Sequence, residues 1–127
     1  TTELNQTLVN LSAHLEPGGV VVIDGWVRPD RWREPGTVHV ETVETEDLKL
    51  VRMSRTEREG AVTHLEMHYL AASLEQIDHF VDHHHLRLFA PADYESAMAM
   101  AGFTVEVMES PLPDRDRYVG VKAQTTG

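Results

Sequence analysis

The run Val20-Val21-Val22-Ile23-Asp24, set behind Pro17-Gly18-Gly19, constrains the fold of this chain more than any other feature. Four β-branched residues in succession put apolar side chains on both sides of a strand, because neighbours along a strand point to opposite faces. Such a strand asks for cover on both faces, as in a parallel sheet held between helices. The preceding stretch supports this. Leu4, Leu8, Leu11 and Leu15 fall on one stripe of a helix over 3–15. Thr2 is placed to cap that helix, and Glu3 lies near the positive end of its dipole. Pro17-Gly18-Gly19 stops it. Helix, tight turn and covered strand together read as a piece of an α/β sheet.

The middle of the chain changes period. Alternating segments span 37–45, 48–56, 61–71 and 76–88, with Glu46-Asp47 and Glu59-Gly60 as hairpin turns between them. Leu65, Met67 and Tyr69 face one way and His64, Glu66 and His68 the other. This predicts an inserted antiparallel layer with one apolar and one polar face. The α/β style then returns. Ala90-Pro91 opens a helix with Asp93 and Glu95 in its first turn, Tyr94, Ala97, Met98 and Ala101 form its buried stripe, and Gly102 ends it. Segments 103–108 and 118–122 read as two closing strands around a polar, Pro-containing loop over 110–116.

Composition excludes several classes of function. The chain has 127 residues and a formal charge of −10, which repels phosphate backbones, so a small molecule is a better partner than nucleic acid. No apolar run approaches the ~20 residues of a membrane span. The absence of cysteine removes disulfides and thiolate metal sites and fits a reducing cytoplasm. The chain opens on Thr1 rather than Met, which reads as a processed or truncated sequence. Three consecutive histidines, His83-His84-His85, are no chelate on a strand, where at most His83 and His85 share a face. No metal is expected.

The string His14-Leu-Glu-Pro-Gly-Gly-Val-Val-Val-Ile-Asp24, followed by Gly25-Trp26, resembles the helix-to-strand junction before the fifth strand of class I S-adenosylmethionine-dependent methyltransferases. Val51-Arg-Met-Ser54, Glu66-Met-His68, His79-Phe80, His84-x-Leu86-x-Leu88-Phe89, Tyr94, Ala101-Gly102-Phe103 and Tyr118-Val-Gly-Val121 resemble, in order and spacing, the N,N-dimethyltransferases of dTDP-linked 3-amino deoxysugars in antibiotic biosynthesis. The resemblance implies the C-terminal half of a Rossmann-like sheet, strands five to seven, with residues 1–26 and 90–127 in that core and 27–89 as the inserted antiparallel β acceptor-binding layer. It implies S-adenosylmethionine as cofactor of the full-length parent and a dTDP-amino sugar as acceptor. No G-x-G-x-x-G loop follows a strand in this sequence, so the half that seats the cofactor is missing and the chain alone is expected to be inactive. The strand at 20–24 would lack its neighbour, and its exposed edge would drive self-association. Another small-molecule acceptor, or a non-catalytic binding domain, are the alternatives.

Position along the chain and the same resemblance nominate site residues, Arg28 by its place near the strand end alone. Trp26 lies just beyond the carboxyl end of a strand, where open α/β sheets bind ligands, and either lines the acceptor pocket or packs the insertion onto the sheet. Arg28 and Arg115 are candidates for a diphosphate, since a guanidinium bonds bidentately; Asp114 and Asp116 flank Arg115 and would compete for it. Glu66 and His68 either line the acceptor pocket or form a solvated face. His84 is the candidate catalytic base.

Overall fold

A computed structural model describes residues 2–124. Thr1 and residues 125–127, where the expected core begins and ends, lie outside the described residues. The chain divides into two compact units: Thr1–Trp32 with Leu88–Gly127, and Arg33–Arg87.

The first unit is a three-stranded sheet with two helices. Helix α1 spans Thr2–Ala13, β1 Val20–Asp24, α2 Pro91–Met100, β6 Phe103–Glu109 and β7 Asp116–Lys122. Thr2 is therefore the first helical residue rather than the cap. The strand order is β1-β7-β6, with β7 antiparallel to both neighbours. The last strand in sequence thus lies between the other two. The core holds Leu8 of α1, Tyr94, Ala97 and Met98 of α2, Phe103 and Tyr118, all buried, with Val21 and Ile23 packed against them. Full burial of a residue such as Leu8 stabilises by roughly 1.5–3 kcal/mol. The stripe expected on α1 is used unevenly, since Leu11 remains partly exposed while Leu8 is fully covered.

Two local devices fix this unit. Lys122 of β7 donates from Nζ to the carbonyls of Ser12 and Leu15 at 2.7 and 2.6 Å, satisfying open acceptors at the end of α1. Gly120 lets α2 approach the sheet, because a Cβ there would lie 2.6 Å from Met98 Cε. Ala90 carries no capping side chain, but its N–H donates to Asp93 Oδ2 at 2.9 Å and anchors the start of α2.

The expectation that 20–24 is covered on both faces is corrected in this chain. Val21 and Ile23 face the core, whereas Val20 and Val22 are more than half exposed, and Val121 stands beside Val20 on the same outer face. The only strand paired with β1 among the described residues is the antiparallel β7.

The second unit is a four-stranded antiparallel meander of β2 (Val38–Glu44), β3 (Lys49–Glu59), β4 (Val62–Ala72) and β5 (Ile77–Arg87), in that order. The cross-strand register sorts its side chains. Leu65 and His84 are opposite one another on one face, while Glu66 and His83, and His68 and Val81, oppose one another on the other. Thr63 is buried and donates from Oγ1 to the carbonyl of Leu86 at 2.8 Å, tying β4 to β5. No helix among the described residues is long and apolar enough to cross a membrane.

Candidate functional site

The carboxyl end of β1 is stitched to the segment that enters β7. Gly25 N–H donates to the Asp116 carbonyl at 3.0 Å, and Arg28 N–H donates to the Asp114 carbonyl at 3.1 Å. These two bonds bracket Trp26 on one segment and Arg115 on the other, which lays the guanidinium over the indole with Cζ 4.4 Å from the ring centroid. Cation–π contact of this kind is favourable by about 0.5–2 kcal/mol, more where water is excluded. The Trp26 backbone also hydrogen-bonds the phenol oxygen of Tyr94, whose ring stacks on Tyr118 at 4.4 Å between centroids. Burial pushes both phenols above their ordinary range, and for Tyr118 the nearby Asp116 carboxylate adds to the rise.

Three arginines meet at this end of the sheet, in different electrostatic situations. Arg117 forks onto Asp24, with Nε and Nη2 at 2.7 and 3.3 Å from the two carboxylate oxygens, and holds that carboxyl below its ordinary value. Arg28 bonds both oxygens of Asp30 at 3.1 and 3.2 Å and stands 3.7 Å from Asp116. Arg115 is the exception. Its Nε is buried without a hydrogen-bond partner, and desolvation is the main force pulling its pKa down, against the field of Asp24. Of the two aspartates expected to compete for Arg115, Asp116 has its carboxylate 3.7 Å from Arg28, and the backbone carbonyl of Asp114 accepts from Arg28 N–H. A flat guanidinium backed by an aromatic ring is chemically suited to an oxyanion.

Sequence reasoning placed Trp26, Arg28 and Arg115 separately, and the structure brings all three together. It separates the others. Glu66 and His68 share one face of the second unit's sheet, His68 Nε2 lying 2.8 Å from Glu66 Oε2. His84 is on the opposite face, 3.0 Å from Asp82 Oδ2. Neighbours on that face include Tyr69 and Phe80, whose rings stack 4.7 Å apart. The residues missed were Arg117 and His79. The first was invisible without the pairing of Asp24 with Arg117. The second becomes notable only because its Nε2 reaches His68 Nδ1 at 3.2 Å. Among the described residues, no group of three or more His, Cys, Asp or Glu side chains is arranged to hold a metal.

The cofactor implied by the resemblance does not fit the residues present. A nucleotide-type seat needs a glycine-rich turn from a strand into a helix. The strand-to-helix passage among the described residues runs from β5 through Leu88-Phe89-Ala90 into α2 and has no glycine.

No family model matches the chain. It is 37% identical over 124 residues to dTDP-3-amino-3,4,6-trideoxy-alpha-D-glucopyranose N,N-dimethyltransferase of Streptomyces venezuelae, a match covering 97% of this chain and 52% of that protein. The crystal structure of Streptomyces venezuelae DesVI superposes with a TM-score of 0.85 at 36% identity, over 95% of this chain and 51% of DesVI. A SAM-bound amino pentose methyltransferase of calicheamicin biosynthesis from Micromonospora echinaspora gives 0.79 at 31% identity, over 96% of this chain and 51% of its own. The chain thus spans about half the length of the relatives it matches. With these matches, its α/β build and its two antiparallel sheets, the chain has the fold of about half of a class I S-adenosylmethionine-dependent methyltransferase and is similar in sequence to the dTDP-amino-sugar N,N-dimethyltransferases.

Proposed function

We propose that this chain is the acceptor-binding half of a cytoplasmic N-methyltransferase that acts on the amino group of a dTDP-linked deoxysugar. The observation that carries the reading is Arg115, stacked on Trp26 at the carboxyl end of β1 with an uncommitted buried Nε. A guanidinium so backed suits a diphosphate oxygen, and Arg28, whose backbone bonds Asp114 and whose own guanidinium is held by Asp30, is the second proposed contact. The relatives' names supply the acceptor class, and the missing cysteines suit a reducing compartment.

Methylation of an amine needs an unprotonated nitrogen held in line with the donor methyl. S-Adenosylmethionine supplies that methyl in the full-length parent; this chain supplies acceptor contacts and proton handling. His84, oriented by Asp82, is the proposed base. Glu66 and His68 occupy the other sheet face from His84, so their proposed acceptor contacts are separate from its role. The unpaired edge of β1 is the proposed route of self-association, and neither nucleic acid nor membrane is a proposed partner.

The test is turnover by the full-length protein. With S-adenosylmethionine and a dTDP-amino sugar, mass spectrometry should find the N-methylated sugar. Methylation of a hydroxyl acceptor with no amine turned over would refute the substrate class. In the same assay His84→Ala should lower kcat about 10²-fold or more, as loss of a general base does. His68→Ala should leave kcat within a few-fold.

A further inference from the structure

Five of the eight histidines share one face of the second unit's sheet: His64, His68, His79, His83 and His85. Within this group His68 and His79 are in a distinctive relation. Their ring centroids are 5.5 Å apart with planes inclined by 18°, and His68 Nδ1 lies 3.2 Å from His79 Nε2. The gap between those two distances is about what two ring radii supply. The two nitrogens therefore lie close to the line joining the ring centres, and their lone-pair directions meet head-on. Two ligands of one tetrahedral ion would instead converge at an angle on a shared apex. Head-on nitrogens at this distance share a proton.

Which way that proton points is set from the other end. His68 Nε2 is 2.8 Å from Glu66 Oε2. A carboxylate only accepts, so His68 must carry its hydrogen on Nε2 and leave Nδ1 bare. His79 Nε2–H then has to donate to that bare nitrogen, and His79 Nδ1 is left open. Glu66 is kept ionised by its surroundings: the His68 bond is the largest influence holding its carboxyl below the ordinary value, with Arg55, 3.6 Å away on β3, and His83, opposite on β5, adding to it. Arg55 is itself shared with Glu57 at 3.2 Å. Around His68 the cross-strand neighbours are apolar, Met53 on β3 and Val81 on β5, with Val40 of β2 beyond Met53; Leu70 is opposite His79.

We infer that Glu66, His68 and His79 form a directed proton wire across β4 and β5, which admits a first proton at the open Nδ1 of His79 and cannot admit a second without breaking. A proton arriving at His79 Nδ1 lets the Nε2 proton pass to His68 Nδ1, while the Nε2 proton of His68 passes to Glu66; each nitrogen loses one N–H bond as the next acceptor gains one. A second proton on the histidine pair would have to occupy His68 Nδ1, where it would meet the N–H of His79. The wire is independent of the acceptor reading given above.

Long-range 1H–15N correlation of the 15N-labelled chain reads every tautomer directly. Above the range of histidine protonation, His68 and His79 should both be Nε2–H, in contrast to His14, whose Nδ1 faces the Asn10 carbonyl at 2.7 Å and carries its hydrogen there. On acidification, His79 Nδ1 should be the first of the four ring nitrogens to gain a proton. Glu66→Leu removes the acceptor that holds the proton on His68 Nε2, and both rings should lose their strict Nε2–H preference. His79→Leu removes the donor, and the first proton should then enter at His68 Nδ1. Mixed tautomers at both rings, first protonation at His68 in the unaltered chain, or tautomers indifferent to Glu66→Leu would overturn the wire.

Discussion

Arg115 and Arg117 are two residues apart and perform different tasks because of what lies under them. Arg117 closes a fork on Asp24 and is neutralised; Arg115 rests on Trp26 and keeps a donor free. In the full-length enzyme Arg115→Ala should therefore weaken binding of the dTDP-sugar about 10- to 100-fold, the range of a lost charge-assisted hydrogen bond at ~1.5–3 kcal/mol. Arg115→Lys should recover only part of it, because an ammonium retains the charge but lacks the flat fork. Titration of each variant with the nucleotide sugar checks both, and unchanged affinity in Arg115→Ala would remove the diphosphate assignment. The sequence pointed to Trp26 and Arg115 through position and resemblance, yet gave no hint of their contact. That contact depends on two backbone bonds between segments some ninety residues apart. The face taken by His84 was hidden for a related reason: alternation within a strand is legible, but which residue opposes which across β4 and β5 is settled only by register.

At the level of elements the sequence was more informative. Hydrophobic period and breakers located both α-helices and all seven strands among the described residues; the expected hairpin at Glu46-Asp47 falls between β2 and β3, whereas of Glu59-Gly60 only Gly60 lies in the turn and Glu59 ends β3. Bounds moved where pairing overrode composition. Strand β3 continues through the charged residues Glu57–Glu59 because each has a partner in β4, from His64 to Val62. Strand β7 begins at Asp116, inside the expected loop, because Asp116 pairs with Glu109. The valine run keeps its strand but lacks cover on Val20 and Val22. A strand with one open edge and an apolar outer face favours association with another copy. Sedimentation of this chain should show a concentration-dependent dimer or larger species, and Val22→Lys should shift it toward monomer. A sharply melting monomer at high concentration in the unaltered chain would contradict the proposed edge contact.

For the molecule as a whole, the match to about half of each relative and the lack of a glycine-rich strand-to-helix turn among the described residues point the same way. Calorimetry of S-adenosylhomocysteine against this chain alone should give no measurable heat of binding. Micromolar affinity would mean that the cofactor seat has been placed wrongly. The strand order carries a separate consequence for biosynthesis. Because β7 is threaded between β1 and β6, neither flanking strand can pair with it until residues 116–122 have left the ribosome. Translation therefore delays the pairing of the valine strand with β7 across nearly a hundred residues of nascent chain, and a premature stop anywhere in that interval removes that partner.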